Sequence, residues 1–141
     1  MIIRRMDECP ECTAGDRTRL RELLHPDRQQ AAIRYSLAHA LLGPGEASAP
    51  HVLSSSEVYY ILSGRGIMVI DTEQCAVEPG QTVYIPPGAV QHIRNTGDGP
   101  LSFLCIVDPA WQSADETVLT GGPQTCPDSC KTAENHARQA S

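Results

Sequence analysis

Two cysteine pairs carry the most reactive side chains of the chain. Cys9-Pro-Glu-Cys12 lies near its start and Cys126-Pro-Asp-Ser-Cys130 near its end. A Cys-x2-Cys knuckle and a second close pair are the parts of a four-thiolate zinc site. Cys9, Cys12, Cys126 and Cys130 are therefore a candidate zinc site, provided the fold brings both ends together. The wider spacing of the second pair is less typical of zinc. The alternatives are unpaired surface thiols on two loose ends, or thiols that respond to oxidation. Residues 1–7 show no apolar leader, so the expectation is a cytoplasmic protein with reduced thiols. Cys75 and Cys105 fall inside strand-like segments, where a free cysteine behaves as a small hydrophobe. No Ser-His-Asp arrangement, phosphate loop or nucleotide fingerprint is present.

The elements that must position such groups read as β-structure. The chain has 141 residues, enough for one domain, with 11 Gly and 11 Pro that favour frequent turns. Segments 33–42, 57–62, 67–70, 75–77, 82–85, 89–94 and 101–107 read as strands separated by turn residues. Residues 16–24 fit either a helix capped by Asp16 or a strand ending at His25-Pro26. In 57–62, alternation puts Glu57, Tyr59 and Ile61 on one face. Short strands with turns between them mark an antiparallel sandwich or barrel. From residue 113 onward Val118 and Leu119 are the only branched aliphatics, too few to offset the entropy of ordering, so 113–141 reads as a flexible tail.

Two segments carry a sharper pattern. Five residues separate Gly45 from His51, five separate His51 from Glu57, and six separate Glu57 from Gly64. Further on, Gly80, Pro86, Gly88 and Asn95 stand at fixed offsets. Together these resemble the two signature motifs of the cupin superfamily, G-x5-H-x-H-x3-E-x6-G and G-x5-P-x-G-x2-H-x3-N. The resemblance covers about residues 30–110. It implies an all-β, antiparallel double-stranded β-helix (a jelly-roll barrel), with an N-terminal arm at 1–29 that partly joins the barrel, the barrel itself at 30–112, and the tail at 113–141.

In cupins the motif histidines and glutamate bind one divalent metal inside the barrel. Here His51 and Glu57 match, but the second histidine position is Leu53 and the last is Gln91. The resemblance therefore implies a reduced metal set of His51, Glu57 and Gln91, for manganese, iron, nickel or zinc. His92 replaces Gln91 only if a bulge follows Gly88, because a one-residue shift flips a strand side chain to the other face. Without a metal, these polar groups satisfy one another. Leu53, Tyr59 and Cys105 are expected to line the pocket. His39 is expected outside, at a possible subunit contact, His25 and His136 in solvent, and Trp111 over the barrel mouth or under the first strand.

The readings of function follow. The first is metal-dependent chemistry on a small molecule, of the dioxygenase, isomerase or decarboxylase kind. A second is a binding or sensing module without metal or catalysis. A third is the zinc or redox role of the cysteine pairs. The expected partners are a small-molecule ligand and a second copy of the chain, since open sheet edges need covering. The net charge of −6 argues against nucleic acid, and no apolar run is long enough for a membrane span.

Overall fold

Turn residues and alternation meet in a computed structural model that describes residues 1–119 and 126. Eleven strands run in chain order: β1 (Glu11–Thr13), β2 (Arg19–Leu24), β3 (Ser36–Leu42), β4 (His51–Leu53), β5 (Ser56–Ser63), β6 (Gly66–Ile70), β7 (Glu73–Val77), β8 (Thr82–Ile85), β9 (Val90–Asn95), β10 (Leu101–Asp108) and β11 (Glu116–Val118). A four-residue helix, α1 (Pro26–Gln29), follows β2. The strands form two antiparallel sheets, ordered β1-β2-β3-β10-β5-β8 and β11-β4-β9-β6-β7. This is the all-β jelly-roll that the motif resemblance implies, within the sandwich-or-barrel class that the turn spacing predicts.

The inner faces follow from the side-chain period of two. On β10, Leu101, Phe103, Cys105 and Val107 are buried, and the residues between them are only half-buried. On β5, Glu57, Tyr59 and Ile61 point inward. Leu42, Ile61, Ile85, Ile93 and Phe103 fill the space between the sheets, each at most 1% exposed. Burial of five such side chains contributes roughly 2 kcal/mol each before entropy is counted.

The motif residues outside the ligand positions have structural work. Gly64 has a φ of +86°, and a Cβ there would run into the Pro100 carbonyl, so any other residue is excluded on two grounds. Asn95 is 1% exposed. Its Nδ2 donates to the carbonyls of Leu42 (3.0 Å) and Gly99 (2.8 Å), and its Oδ1 accepts from Gly97 N (2.9 Å). One side chain thus pins the 95–99 loop to β3.

The structure decides or corrects several expectations. Residues 19–24 are the strand β2, not a helix, and β1 with β2 extends the larger sheet. The expected tail starts as ordered chain. Residues 113–115 form a 3-10 turn, and β11 pairs with β4 through Glu116↔Leu53, Thr117↔Val52 and Val118↔His51. Backbone hydrogen bonds to the open edge of β4 hold this segment, and such pairing needs no apolar side chains. Of the rest of the expected tail, including Cys130 and His136, only Leu119 and Cys126 lie within the described residues. His25 is not in solvent but fully buried. Its Nε2 meets the Trp111 carbonyl at 2.8 Å and its Nδ1 accepts from Asp27 N, capping α1. Cys75, expected to pack as a small hydrophobe, is exposed.

Candidate functional site

Three strands bring the expected pocket residues to one place. His51 and Leu53 come from β4, Glu57 and Tyr59 from β5, and Cys105 from β10. All five line a cavity of about 200 Å³. Phe103 and Trp111 add aromatic wall, and the Tyr59 and Phe103 rings meet at 4.6 Å between centroids, tilted by 45°. A mostly apolar cavity with a few fixed polar groups is the ordinary form of a small-molecule site.

Gln91 holds the polar end from behind. β9 pairs with β6 in unbroken register, Gln91 opposite Ile70 and His92 opposite Val69. No bulge follows Gly88, so Gln91 is buried and His92 faces outward, half-buried. Gln91 Nε2 donates to Glu57 Oε1 at 2.9 Å, and Tyr59 Oη donates to Gln91 Oε1 at 3.1 Å. Glu57, Gln91 and Tyr59 therefore form one chain of hydrogen bonds. His51 is outside it. Its Nδ1 lies 2.8 Å from the Ala49 carbonyl and its Nε2 lies 3.6 Å from Asp16 Oδ2.

The electrostatics follow from burial. Burial pushes the Glu57 carboxyl up to about 8, with Asp16 and Glu116 adding to the rise and the hydrogen bonds from Gln91 and Tyr59 opposing it. Glu57 is thus mostly protonated at neutral pH, and a protonated carboxyl can donate as well as accept. Burial, then the charge of Glu57, raises both the Tyr59 phenol and the Cys105 thiol well above their usual values. Cys105 remains a thiol and is a wall residue, not a nucleophile.

Two residues near this network, Asp16 and Glu116, were not legible as site residues. Asp16 reads as a helix cap, but it shapes the turn into β2 by accepting from Thr18 N (3.1 Å) and Thr18 Oγ1 (2.6 Å). Glu116 lies in the expected tail, yet it accepts from Trp111 Nε1 at 2.8 Å and faces the cavity. Burial raises its carboxyl, and the charge of Asp16 adds to the rise. Trp111, expected over the barrel mouth or under the first strand, lines the cavity. The Asp-x-Thr sequence before a strand is the one local signal that could have placed Asp16 in a turn.

The cysteine pairs behave differently from either expectation. Cys12 and Cys126 are joined by a disulfide across 114 positions of sequence, and Cys126 N donates to the Thr13 carbonyl. The pair thus replaces the unpaired, reduced thiols expected there. Two sulfurs bonded to each other are not thiolates, so Cys12 and Cys126 in this state cannot contribute to a four-thiolate zinc site. Cys9 is buried, with its Sγ against the Arg5 carbonyl at 3.3 Å. His39, expected outside at a subunit contact, lies on the face of β3 turned from the cavity but is itself buried, where it meets Ser102 Oγ at 2.6 Å.

Comparison with known proteins agrees with this architecture. Residues 38–107 match the family described as the cupin domain. An uncharacterised protein of Methanocaldococcus jannaschii is 41% identical over 101 residues, which is 71% of this chain and 80% of that protein. A glucose-6-phosphate isomerase of Thermococcus onnurineus is 39% identical over 56 residues, 36% of this chain and 30% of that enzyme. The crystal structure of a predicted oxalate decarboxylase from Thermotoga maritima superposes with a TM-score of 0.68 at 22% identity, over 77% of this chain and 99% of that one. At that identity the likeness concerns the fold alone. No described helix is long and apolar enough to cross a membrane.

Proposed function

The chain belongs to the cupin superfamily, and from that premise we propose that it binds a small organic molecule in its barrel cavity and exchanges a proton with it through Glu57. The observation that carries this reading is the buried Glu57–Gln91–Tyr59 chain at the wall of an apolar cavity. A carboxyl held above its usual range and fixed by an amide is suited to general acid–base work. Isomerase- or decarboxylase-type steps, which move a proton at carbon or oxygen, fall within that chemistry. Apolar walls of Leu53, Phe103 and Trp111 exclude water from the ligand.

The metal that the family's motif implies does not fit the motif positions of this chain. Leu53 offers no donor atom. Gln91 spends its amide N–H on Glu57 and its carbonyl oxygen on Tyr59, so His51, Glu57 and Gln91 do not converge as ligands. Dioxygenase-type chemistry through that set is therefore not part of the reading.

A binding or sensing role without catalysis is the second reading. It is favoured by how completely Glu57, Gln91 and Tyr59 satisfy one another, since a closed polar network also serves to fix a binding surface. Self-association belongs to both readings. Tyr60, Leu62 and Tyr84 lie exposed on the outer face of neighbouring strands β5 and β8, and β8 is a sheet edge. A second copy of the chain is the proposed cover.

Trp111 is the only tryptophan and lines the cavity, so its fluorescence reports ligand entry. The test is a panel of small carboxylates and sugar phosphates, oxalate and glucose 6-phosphate among them, titrated while Trp111 emission is followed. The expected result is saturable quenching that weakens at least tenfold in Glu57→Gln, about 1.4 kcal/mol. Equal binding by Glu57→Gln, or no response across the panel, would contradict the proposal.

A further inference from the structure

His51 is left out of the deep network, and its surroundings are poorly matched. Its Nδ1 sits 2.8 Å from the Ala49 carbonyl. A carbonyl only accepts, so the neutral ring carries its proton on Nδ1 and presents a lone pair at Nε2. That lone pair faces Asp16 Oδ2 at 3.6 Å, beyond hydrogen-bond length. Glu116 completes a trio in which one ligand atom from each residue lies within 4.8 Å of the other two. An imidazole lone pair and two carboxylates are all acceptors. They have gathered where His51 is 3% and Asp16 6% exposed, with Glu116 half-buried. Acceptors in a largely dry wall repel unless a cation joins them.

Each member of the trio is also held from behind. Thr18 donates twice to Asp16 Oδ1, the Ala49 carbonyl holds the His51 ring, and Trp111 Nε1 donates to Glu116 Oε2. Outer hydrogen bonds of this kind orient metal ligands and fix the histidine tautomer.

We propose that Asp16, His51 and Glu116 bind one divalent first-row cation in the cavity wall. Two carboxylates balance its charge. One nitrogen with two carboxylate oxygens suits manganese, iron or zinc, and three protein ligands leave coordination positions open for a ligand in the cavity. Of the residues at the family's ligand positions, only His51 takes part. Asp16 comes from the turn before β2 and Glu116 from β11, both outside the two motifs. The proposal does not rest on Glu57 acting as an acid, and it can fail or succeed independently of that reading.

Mn2+ alone is the probe, followed by the loss of the free-ion EPR signal on titration into the full chain. The expected result is one Mn2+ per chain. Glu116→Gln and Asp16→Asn should each weaken binding at least tenfold, and Gln91→Met should leave it within about twofold, a difference near 0.4 kcal/mol. Trp111→Phe removes the donor behind Glu116 without touching a ligand. It should weaken binding severalfold, and it serves if a carboxylate variant fails to fold. Failure of the folded wild type to bind Mn2+ at millimolar concentration would overturn the proposal. Binding that survives Glu116→Gln but is lost in Gln91→Met would overturn it in favour of the motif positions.

Discussion

The cavity wall has two polar regions, and they are built on opposite principles. Around Glu57 every group has its complement: an amide N–H meets a carboxyl oxygen, and a phenol meets the amide carbonyl. Around His51 acceptors face acceptors, with Asp16 and Glu116 turned on an imidazole whose proton is committed elsewhere. The first region is complete within the protein. The second is complete only with something the protein does not supply. A satisfied network fixes shape and tunes a proton, whereas an unsatisfied one specifies a ligand. In this chain the family's motif positions have become the first kind, and residues outside the motifs supply most of the second.

The largest effect that should sharpen this contrast is on stability against pH, in metal-free protein. Glu57 has a folded value near 8 against an ordinary value of 4.5. Between those values the native state holds a proton that the unfolded chain has released. Its contribution is therefore full below the ordinary value and is lost as pH rises through the folded one, at roughly 1 kcal/mol per pH unit. Asp16, Glu116, Tyr59 and Cys105 face the same cavity, and Glu116 adds in the same direction because its carboxyl is also raised. The difference between wild type and Glu57→Gln isolates Glu57. Urea denaturation across this range should give converging stabilities at low pH and a wild type several kcal/mol weaker at high pH, relative to the variant. Parallel curves would show that Glu57 is not held protonated.

The next effect concerns what ties the chain's end to the barrel. Cys126→Ser removes the bond to Cys12, which closes a loop spanning 114 positions. Constraint of the unfolded chain predicts a loss of about 2–4 kcal/mol, read as a lower denaturant midpoint without reductant. An unchanged midpoint would mean that the bond does not form in solution. Somewhat smaller is the cost of breaking the satisfied region. Gln91→Met keeps volume but leaves Glu57 and Tyr59 without their shared amide, which should cost about 1–3 kcal/mol. A neutral result would show that water replaces the amide and that the network is not closed. Smallest in stability is Tyr84→Glu on the exposed outer face of β8, which should change the monomer's stability by less than about 0.5 kcal/mol. It should nevertheless shift the mass measured by light scattering from dimer to monomer, and a monomeric wild type would dispose of self-association through that face.

Much of the barrel was legible in the sequence because its signals are local. Glycines at turns, prolines between strands and alternation in 57–62 each constrain their own neighbourhood. That Glu57, Tyr59 and Ile61 share a face follows from the period of two, and that this face is the inner one follows from the motif resemblance. Gln91 could be placed inward with equal simplicity once no bulge displaced it. The second polar region was not legible because it is assembled from distant positions by backbone pairing. Glu116 reaches the cavity through the edge of β4, a contact that leaves no pattern in side chains. Asp16 reads as a helix cap where the chain forms a turn into a strand, and its partners across the cavity lie far along the chain. His25 was missed for the same reason: the carbonyl that meets it belongs to Trp111, 86 positions away. Pattern reading finds what one strand does to its own residues, and it is blind to which edges will meet.

The proposed cation site shares only His51 with the motif's ligand positions, and an anomalous difference map from a crystal soaked in Mn2+ tests it most directly. The account predicts one peak within coordination distance of Asp16, His51 and Glu116, with Gln91 still hydrogen-bonded to Glu57. A peak ligated by Glu57 and Gln91, or none in the cavity wall, would contradict it.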